Sequence, residues 1–233
     1  MRLNKKSPAL SDQSGAKARI EPHSNGVIMS KNTQAVNVKW YPRLFTDDMV
    51  RELLADRKTA TRWPLRKQPE GIVQKVEEWT WEDAGNTYRA PVCPGDIIWA
   101  RETWAQEDVA CPPVYRADGN DMLGNKWASE ALFKIRWSPN IHMPRKFTRI
   151  FLRVTDVRLV HVQDISEPEA QAEGVHPAFS HPGLDGVSSQ PSYRWGFWSL
   201  WDELYAARGL GWDASPWVWA ASFRRISKAE AEA

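Results

Sequence analysis

The sequence predicts an α+β domain: a small mixed β-barrel, or a strongly curled sheet, with peripheral helices and long loop insertions. Three observations support this. Strand-like segments outnumber helical ones. The longest apolar segment of period two, 148–162, joins two helical segments instead of alternating with them in βαβ units. Two stretches rich in Pro and Gly, 64–94 and 175–194, interrupt the periodic pattern as insertions would.

The first periodic element is a helix opened by Thr46, whose hydroxyl can accept from the free N–H groups of the first turn. Asp47 and Asp48 there suit the positive end of the helix, and Met49, Val50, Leu53 and Leu54 recur as one apolar stripe. The helix is expected to end near Asp56-Arg57. Polar, β-branched Lys58 to Arg62 follow, and Trp63-Pro64 ends regular structure. Residues 64–94 read as a mobile insertion with a short hairpin around Trp79 to Tyr88. After the turn Pro94-Gly95-Asp96, Ile97 to Ala100 has the branched and aromatic composition of a buried strand, continued by Arg101 to Trp104. Val114 to Ala117 is a further short strand, and Ala131 to Trp137 alternates as a half-buried one.

Within 148–162 the apolar residues are Ile150, Leu152 and Val154, then Val157 and Leu159. Their parity changes at Thr155-Asp156, which predicts a bulge or bend in one long strand. Ser166-Glu167-Pro168-Glu169 is a capping box opening a short helix that runs to Glu173 and stops at Gly174. Phe197, Leu200, Trp201, Leu204 and Tyr205 form a second helical stripe. Trp217 to Ile226 is a terminal strand, and 227–233 reads as a C-terminal tail.

Charge divides the chain. Residues 1–39 carry seven Lys and Arg against two acids, whereas 40–233 carry 24 against 27. The first segment has few large apolar residues and no steady period, and reads as a basic, disordered tail. Its uses divide between an arm that touches phosphates and a solubilising leader, with Met29 as an alternative start.

Composition excludes several classes. No run approaches the roughly 18 apolar residues of a membrane span, so no membrane partner is expected. Cys93 and Cys111 make neither a disulfide framework nor a four-thiolate metal site, which fits a reducing cytoplasm. No glycine-rich phosphate loop, GxSxG elbow or HExxH is present. The five histidines lack helical metal spacing, with His176 and His181 at best a weak pair, so neither metal nor cofactor is expected.

All 14 Trp lie between Trp40 and Trp219. Those in apolar runs suit core packing, while Trp63 and Trp127, in polar surroundings, suit the wall of a binding site. The remaining polar constellation is sparse: Lys58, Thr61 and Arg62 just after one helix, and Glu173 at the end of another. A lysine beside a threonine hydroxyl can take its proton, and a glutamate can relay a proton to a leaving amine, which suits acyl transfer. Taken by themselves, the same residues also fit a turn and a surface ion pair.

The segment Asp56 to Arg62, preceded by the Met49–Leu54 stripe, resembles the GxK signature of ASCH domains, members of the PUA-like superfamily of RNA-associated β-barrels. Glu173, within Ile165 to Gly174, matches the family's second landmark. Pro94-Gly95-Asp96, Arg101 to Trp104, His142 to Arg145 and Trp212 to Trp217 extend the resemblance to larger ASCH proteins of phages and prophages, over roughly 40–226. The resemblance implies a PUA-like barrel and an amidohydrolase that removes acetyl from N4-acetylcytidine. Thr61 would attack the acyl carbonyl, Lys58 would be its base, and Glu173 would aid proton transfer.

Two residues depart from the pattern. Asp56 stands where the signature has glycine, and Trp63 where it has an arginine, whose role would fall to Arg62, Arg66 or Arg145. Arg62, Trp63, Arg101, Glu102, His142 and Arg145 are the expected substrate contacts. The expected partner is a nucleoside or nucleic acid, RNA before DNA, in a bacterial host's cytoplasm. A non-catalytic binder of RNA or modified DNA, and a ribonuclease, are the alternatives.

Overall fold

Thr46 does cap a helix: its side chain accepts from Met49 N, and α1 spans Asp47–Leu54. The structure, a computed structural model, describes residues 38–71, 73–83, 85–106, 111–119, 135–180 and 190–233. All belong to one compact unit, Val36–Ala233. The basic tail up to residue 37, most of the expected strand at 131–137, Trp127 and His181 lie outside the described residues.

Five strands form the main sheet: β1 (Trp40–Leu44), β2 (Ala60–Pro64), β6 (Ile97–Arg101), β9 (Phe151–His161) and β10 (Trp217–Ile226). Their order is β1-β6-β9-β10-β2, parallel between β1 and β6 and antiparallel elsewhere. β1 was not expected from the sequence because Pro42 disguises it. An edge strand tolerates proline, since one side of it needs no ladder N–H.

The parity change in β9 is a bulge. Ser222 pairs with Asp156 and Phe223 with Val154, leaving Thr155 unmatched. Leu152 and Val154 before it, and Val157 and Leu159 after it, therefore all reach the same core. β6 is buried on both faces, which explains its unbroken apolar run. Ile98 and Ala100 join the main core, whereas Ile97 and Trp99 meet Phe151, Ile226 and Ala231. Ala231 belongs to α4 (Lys228–Glu232), capped by Ser227. The expected C-terminal tail is thus a helix that covers the outer face of the sheet.

The 64–94 insertion also departs from expectation. It holds the expected hairpin, β4 (Thr80–Glu82) with β5 (Thr87–Arg89), and a further strand, β3 (Gln74–Glu77), that extends it to a three-stranded antiparallel sheet. Trp81 and Tyr88 stand opposite each other in register, and both are buried in the main core with Val92. Trp81 meets Trp219 of β10 edge-on at 5.2 Å. Pro and Gly mark the turns of this segment, but its aromatic residues anchor it. A two-stranded ladder, β7 (Trp104–Ala105) with β8 (Val114–Tyr115), lies beyond β6.

α2 (Glu167–Ala172) begins with the expected capping box and ends at Glu173, with Gly174 left-handed at φ +74°. α3 (Tyr193–Tyr205) buries Phe197 and Trp201 against Val162, Ile165, Trp212 and Val218. No helix among the described residues is long and apolar enough to cross a membrane.

The closed barrel is not formed. Among the described residues no ladder joins the two edge strands, β1 and β2. The sheet curls enough that Arg43 of β1 lays its guanidinium 4.7 Å from the Trp63 ring of β2. Both edges wall one cavity, which occupies the gap where a closing ladder would run.

Candidate functional site

The residues after α1 are held from three sides. Asp56 adopts a left-handed φ of +56°, the conformation a glycine takes without cost and Asp tolerates, and its carboxylate grips Arg225 at 2.8 and 2.7 Å. Arg57 N and Lys58 N then donate to Glu52 O. Thr59 N donates to Ala172 O at the end of α2, and Phe223 N of β10 donates to Thr59 O, both at 2.8 Å. These bonds bring the start of β2 against the end of α2.

Gly174 makes that approach possible. A Cβ on it would stand 2.8 Å from Lys58 Cβ and 2.9 Å from Glu52 Cβ, in a left-handed backbone. With no side chain there, Lys58 passes beneath the turn. Its Nζ donates to Glu173 O at 2.7 Å and to Glu173 Oε2 at 3.0 Å. Arg62 Nη1 donates to Glu173 Oε1 at 3.0 Å, and Arg62 Nη2 lies 3.4 Å from Glu169 Oε2. The side chains of Lys58, Arg62 and Glu173 are 1%, 2% and 4% exposed.

Glu169 closes the network. Its Oε2 accepts from Ser166 N and Oγ, and Arg158 pairs with its other oxygen. Burial opposes its charge, but Arg158, Ser166 and Arg62 prevail and bring Glu169 down to about 2. Removing two cations and a carboxylate from water costs more than their attraction reliably returns, so packing alone does not account for this cluster.

The cavity beside it measures about 400 Å³. Thr61, Arg62 and Trp63 of β2 line it, with Glu173, Arg43 of β1, Met49 of α1 and Asn140. Thr61 and Arg62 point to opposite faces of β2, and both reach the cavity because it wraps the strand's free edge. Leu200, Leu204 and Tyr205 of α3 form the opposite wall. Thr61 Oγ1 has no hydrogen-bond partner among the described residues, and no hydrogen bond links it to Lys58. Lys58 is absent from the lining and meets the cavity only through Glu173. Two buried N–H groups at this wall, Arg43 Nε and Arg62 Nε, lack an acceptor among the described residues. Burial lowers the pKa of Arg43, which no carboxylate offsets.

The other expected contacts lie elsewhere. Arg101 Nε donates to Met143 O at 3.0 Å, and its guanidinium covers Trp99. Glu102, fully buried, accepts two bonds from Arg149 at 2.9 and 2.8 Å, and Arg149 also bridges Asp118. Tyr115 lies under the same guanidinium at 4.0 Å. Arg145 stacks on Trp40 at 3.6 Å, and His142 is exposed on a one-turn helix. None of Arg101, Glu102, His142 and Arg145 lines the cavity. Arg101, Glu102 and Arg145 fasten the 140–149 segment to β6 and β1.

The histidines are scattered too: His161 Nδ1 faces Ser215 O at 2.7 Å, and His176 is 4.0 Å from Glu52 on the surface. Among the described residues no three His, Cys, Asp or Glu side chains gather as a metal site.

Two residues of the site were missed by sequence reasoning. Arg43 lies on the disguised strand and carried no signal. Glu169 was recognised only as a cap, although its spacing of four from Glu173 already placed both carboxylates on one side of α2.

Neither a family model nor a curated protein sequence matches the chain. Among solved structures, protein EF3133 from Enterococcus faecalis V583, family DUF984, aligns at 16% identity over 80% of this chain and 81% of that one, with a TM-score of 0.34.

Proposed function

We propose that the cavity receives a nucleobase and that the protein hydrolyses an N-acylated cytosine of the N4-acetylcytidine type. The observation that carries the reading is the buried Lys58–Glu173 pair behind a cavity walled by an unpartnered threonine hydroxyl and an indole. The resemblance to ASCH domains of the PUA-like superfamily supports the same assignment. In this reading the base stacks against Trp63 and its acyl group lies over Thr61.

The chemistry balances within these groups. Transfer of a proton along the Lys58–Glu173 hydrogen bond gives a neutral amine and a carboxylic acid. Thr61 Oγ1 attacks the acyl carbonyl and gives its proton to the Lys58 amine, and the Glu173 acid protonates the departing exocyclic nitrogen. The ion pair is thereby restored. The same sequence with water as nucleophile releases acetate and regenerates Thr61. The unpaired N–H groups of Arg62 and Arg43 are the donors this reading assigns to the developing oxyanion. Lys58 reaches Thr61 in this scheme by turning away from Glu173 O once substrate excludes water.

The test is release of acetate from N4-acetylcytidine, followed by chromatography. Thr61→Val, Lys58→Met and Glu173→Gln should each lower kcat at least about 100-fold, the usual scale for an acid–base or nucleophilic group. Intact substrate after prolonged incubation with the native protein refutes the chemistry. One observation favours a second reading, a binder without turnover: Lys58 Nζ is already engaged by two acceptors of Glu173. Nucleoside binding that persists in Thr61→Val, without hydrolysis by the native protein, would establish it.

A further inference from the structure

A second concavity adjoins the first. It measures about 650 Å³ and shares Arg43 and Trp63 with the cavity beside Glu173, so the two meet at the Arg43–Trp63 stack. Its walls are the chain leaving β2, which carries Arg66 and Lys67, and the segment around β5, which carries Arg89. Both walls belong to the 64–94 insertion, to which the chemistry above gives no task.

The charge of this groove is one-sided. Arg43, Arg66, Lys67 and Arg89 line it, and no Asp or Glu does. Arg66 and Arg89 are exposed and have neither an ion pair nor a hydrogen bond among the described residues. Lys67 reaches only the neutral Asn86. Of the carboxylates nearby, Asp83 accepts from Tyr88 Oη at 2.7 Å and from Asn86, Glu82 accepts from Thr87 at 3.1 Å, and Glu70, which acts on Tyr88 from a distance, stands outside the lining. Residues 40–233 as a whole carry more acids than bases, 27 against 24, so the clustering is local and not a background of positive charge.

The groove is also rigid at its base. Leu65 N donates to Trp217 O at 3.1 Å, and Gln68 exchanges bonds with both the N–H and the carbonyl of Trp217. Cations held on a fixed floor beside an aromatic that guards a base-sized cavity match the two needs of single-stranded nucleic acid, phosphate neutralisation and base stacking.

We infer that the substrate is a base carried in a single strand, of which the free nucleoside is a fragment: phosphodiesters lie along Arg43, Arg66, Lys67 and Arg89, and one base passes Trp63 into the cavity. This rests on the proposed base-binding role of the cavity and adds its substrate class, a polynucleotide.

The experiment measures binding of fluorescent single-stranded RNA and DNA dodecamers by anisotropy at several salt concentrations. Four cations on a single strand give a log–log salt slope of about −2.8, a loss of roughly 50-fold between 50 and 200 mM. Arg66→Glu/Lys67→Glu/Arg89→Glu should weaken oligonucleotide binding at least about 10-fold and flatten that slope, with hydrolysis of free N4-acetylcytidine unchanged. Single alanine variants should each remove about 0.7 from the slope, so the inference does not depend on the triple variant folding.

Tighter binding of RNA than DNA, or the reverse, identifies the strand. Equal affinity of native and triple variant, absence of binding to both strands at 50 mM salt, or equal binding of duplex and single strand overturns the inference. If the native protein leaves N4-acetylcytidine intact yet binds single strands through these residues, the groove stands and the hydrolytic reading falls.

Discussion

Glu173→Gln tests the charge cluster most directly. The substitution keeps size and shape but leaves Lys58 and Arg62 buried, with only Glu169 at 3.4 Å from Arg62 to balance them. Removing one partner of a buried pair costs about 3–5 kcal/mol, and the amide oxygen can still accept from one cation, which places the loss near about 3 kcal/mol. Lys58→Met leaves Glu173 paired with Arg62 but strips the donor from the buried Glu173 carbonyl, a cost of about 1–3 kcal/mol. In Lys58→Met/Glu173→Gln the stranded ammonium is gone, and what persists is the carbonyl penalty and the weaker partner left to Arg62. The double variant should therefore be no less stable than Glu173→Gln alone, and roughly 2 kcal/mol or more better than the sum of the singles. Urea unfolding at pH 7, followed by tryptophan fluorescence, gives all three values. Additivity within about 0.5 kcal/mol would refute an interacting buried pair. If hydrolysis is found, the double variant should be stable and inactive, which separates the pair's chemical use from its structural one.

The same geometry sets three more outcomes. Gly174→Ala combines a left-handed alanine with Cβ contacts under 3.0 Å to Lys58 and Glu52 and should destabilise by about 2–5 kcal/mol, with a measurable loss of hydrolysis per folded molecule; an unchanged urea midpoint would contradict the close approach. Trp81→Ala should cost about 3–5 kcal/mol, whereas an insertion merely attached to the domain would lose less than about 1 kcal/mol in the same assay. Glu169 lies at about 2 in the folded protein against its ordinary 4.5, so its charge stabilises above the higher value, and that contribution disappears as pH falls from about 4.5 to 2. Glu169→Gln should flatten the decline of the urea midpoint across this window, and a parallel decline in both proteins would count against the network.

What the sequence disclosed depends on how local each signal is. The caps at Thr46 and Ser166 involve residues three apart and are visible in the chain itself. The bulge at Thr155 is equally plain, because one core face had to be kept on both sides of the extra residue. β1 was hidden because its pairing with β6 is parallel and distant, and Pro42 masks its period. In the 64–94 sheet the hairpin of β4 and β5 was legible, but β3 was hidden for another reason: every residue of it is exposed, so no alternation marks it. In the site, Lys58 and Arg62 lie close in sequence, but Glu173 is 115 residues from Lys58, and residue types alone left both a shared site and a surface ion pair open until the family resemblance favoured the site. Arg101 and Glu102 stood out as polar residues at a strand end, and both contact the 140s segment: Arg101 donates to Met143 O, and buried Glu102 pairs with Arg149.

The placement of the cavity has its own logic. Completing a barrel between β1 and β2 would satisfy two sheet edges and fill the space with packed side chains, the ordinary route to stability in such a sheet. Here the seam is open, and among the described residues it carries unsatisfied groups, as Trp104, Arg153 and Arg194 do elsewhere: Arg43 Nε and Arg62 Nε without acceptors, Arg43 without a carboxylate, and Thr61 Oγ1 without a partner. Half-buried Arg149, in contrast, is matched by Glu102 and Asp118. A structural ion network completes its own bonds, whereas a binding site leaves polar groups for a ligand to complete. At this seam the open bonds are donors and one hydroxyl, so the guest they suit brings acceptors: a carbonyl for the N–H groups and an anion for Arg43. An acylated base joined to a phosphate carries both.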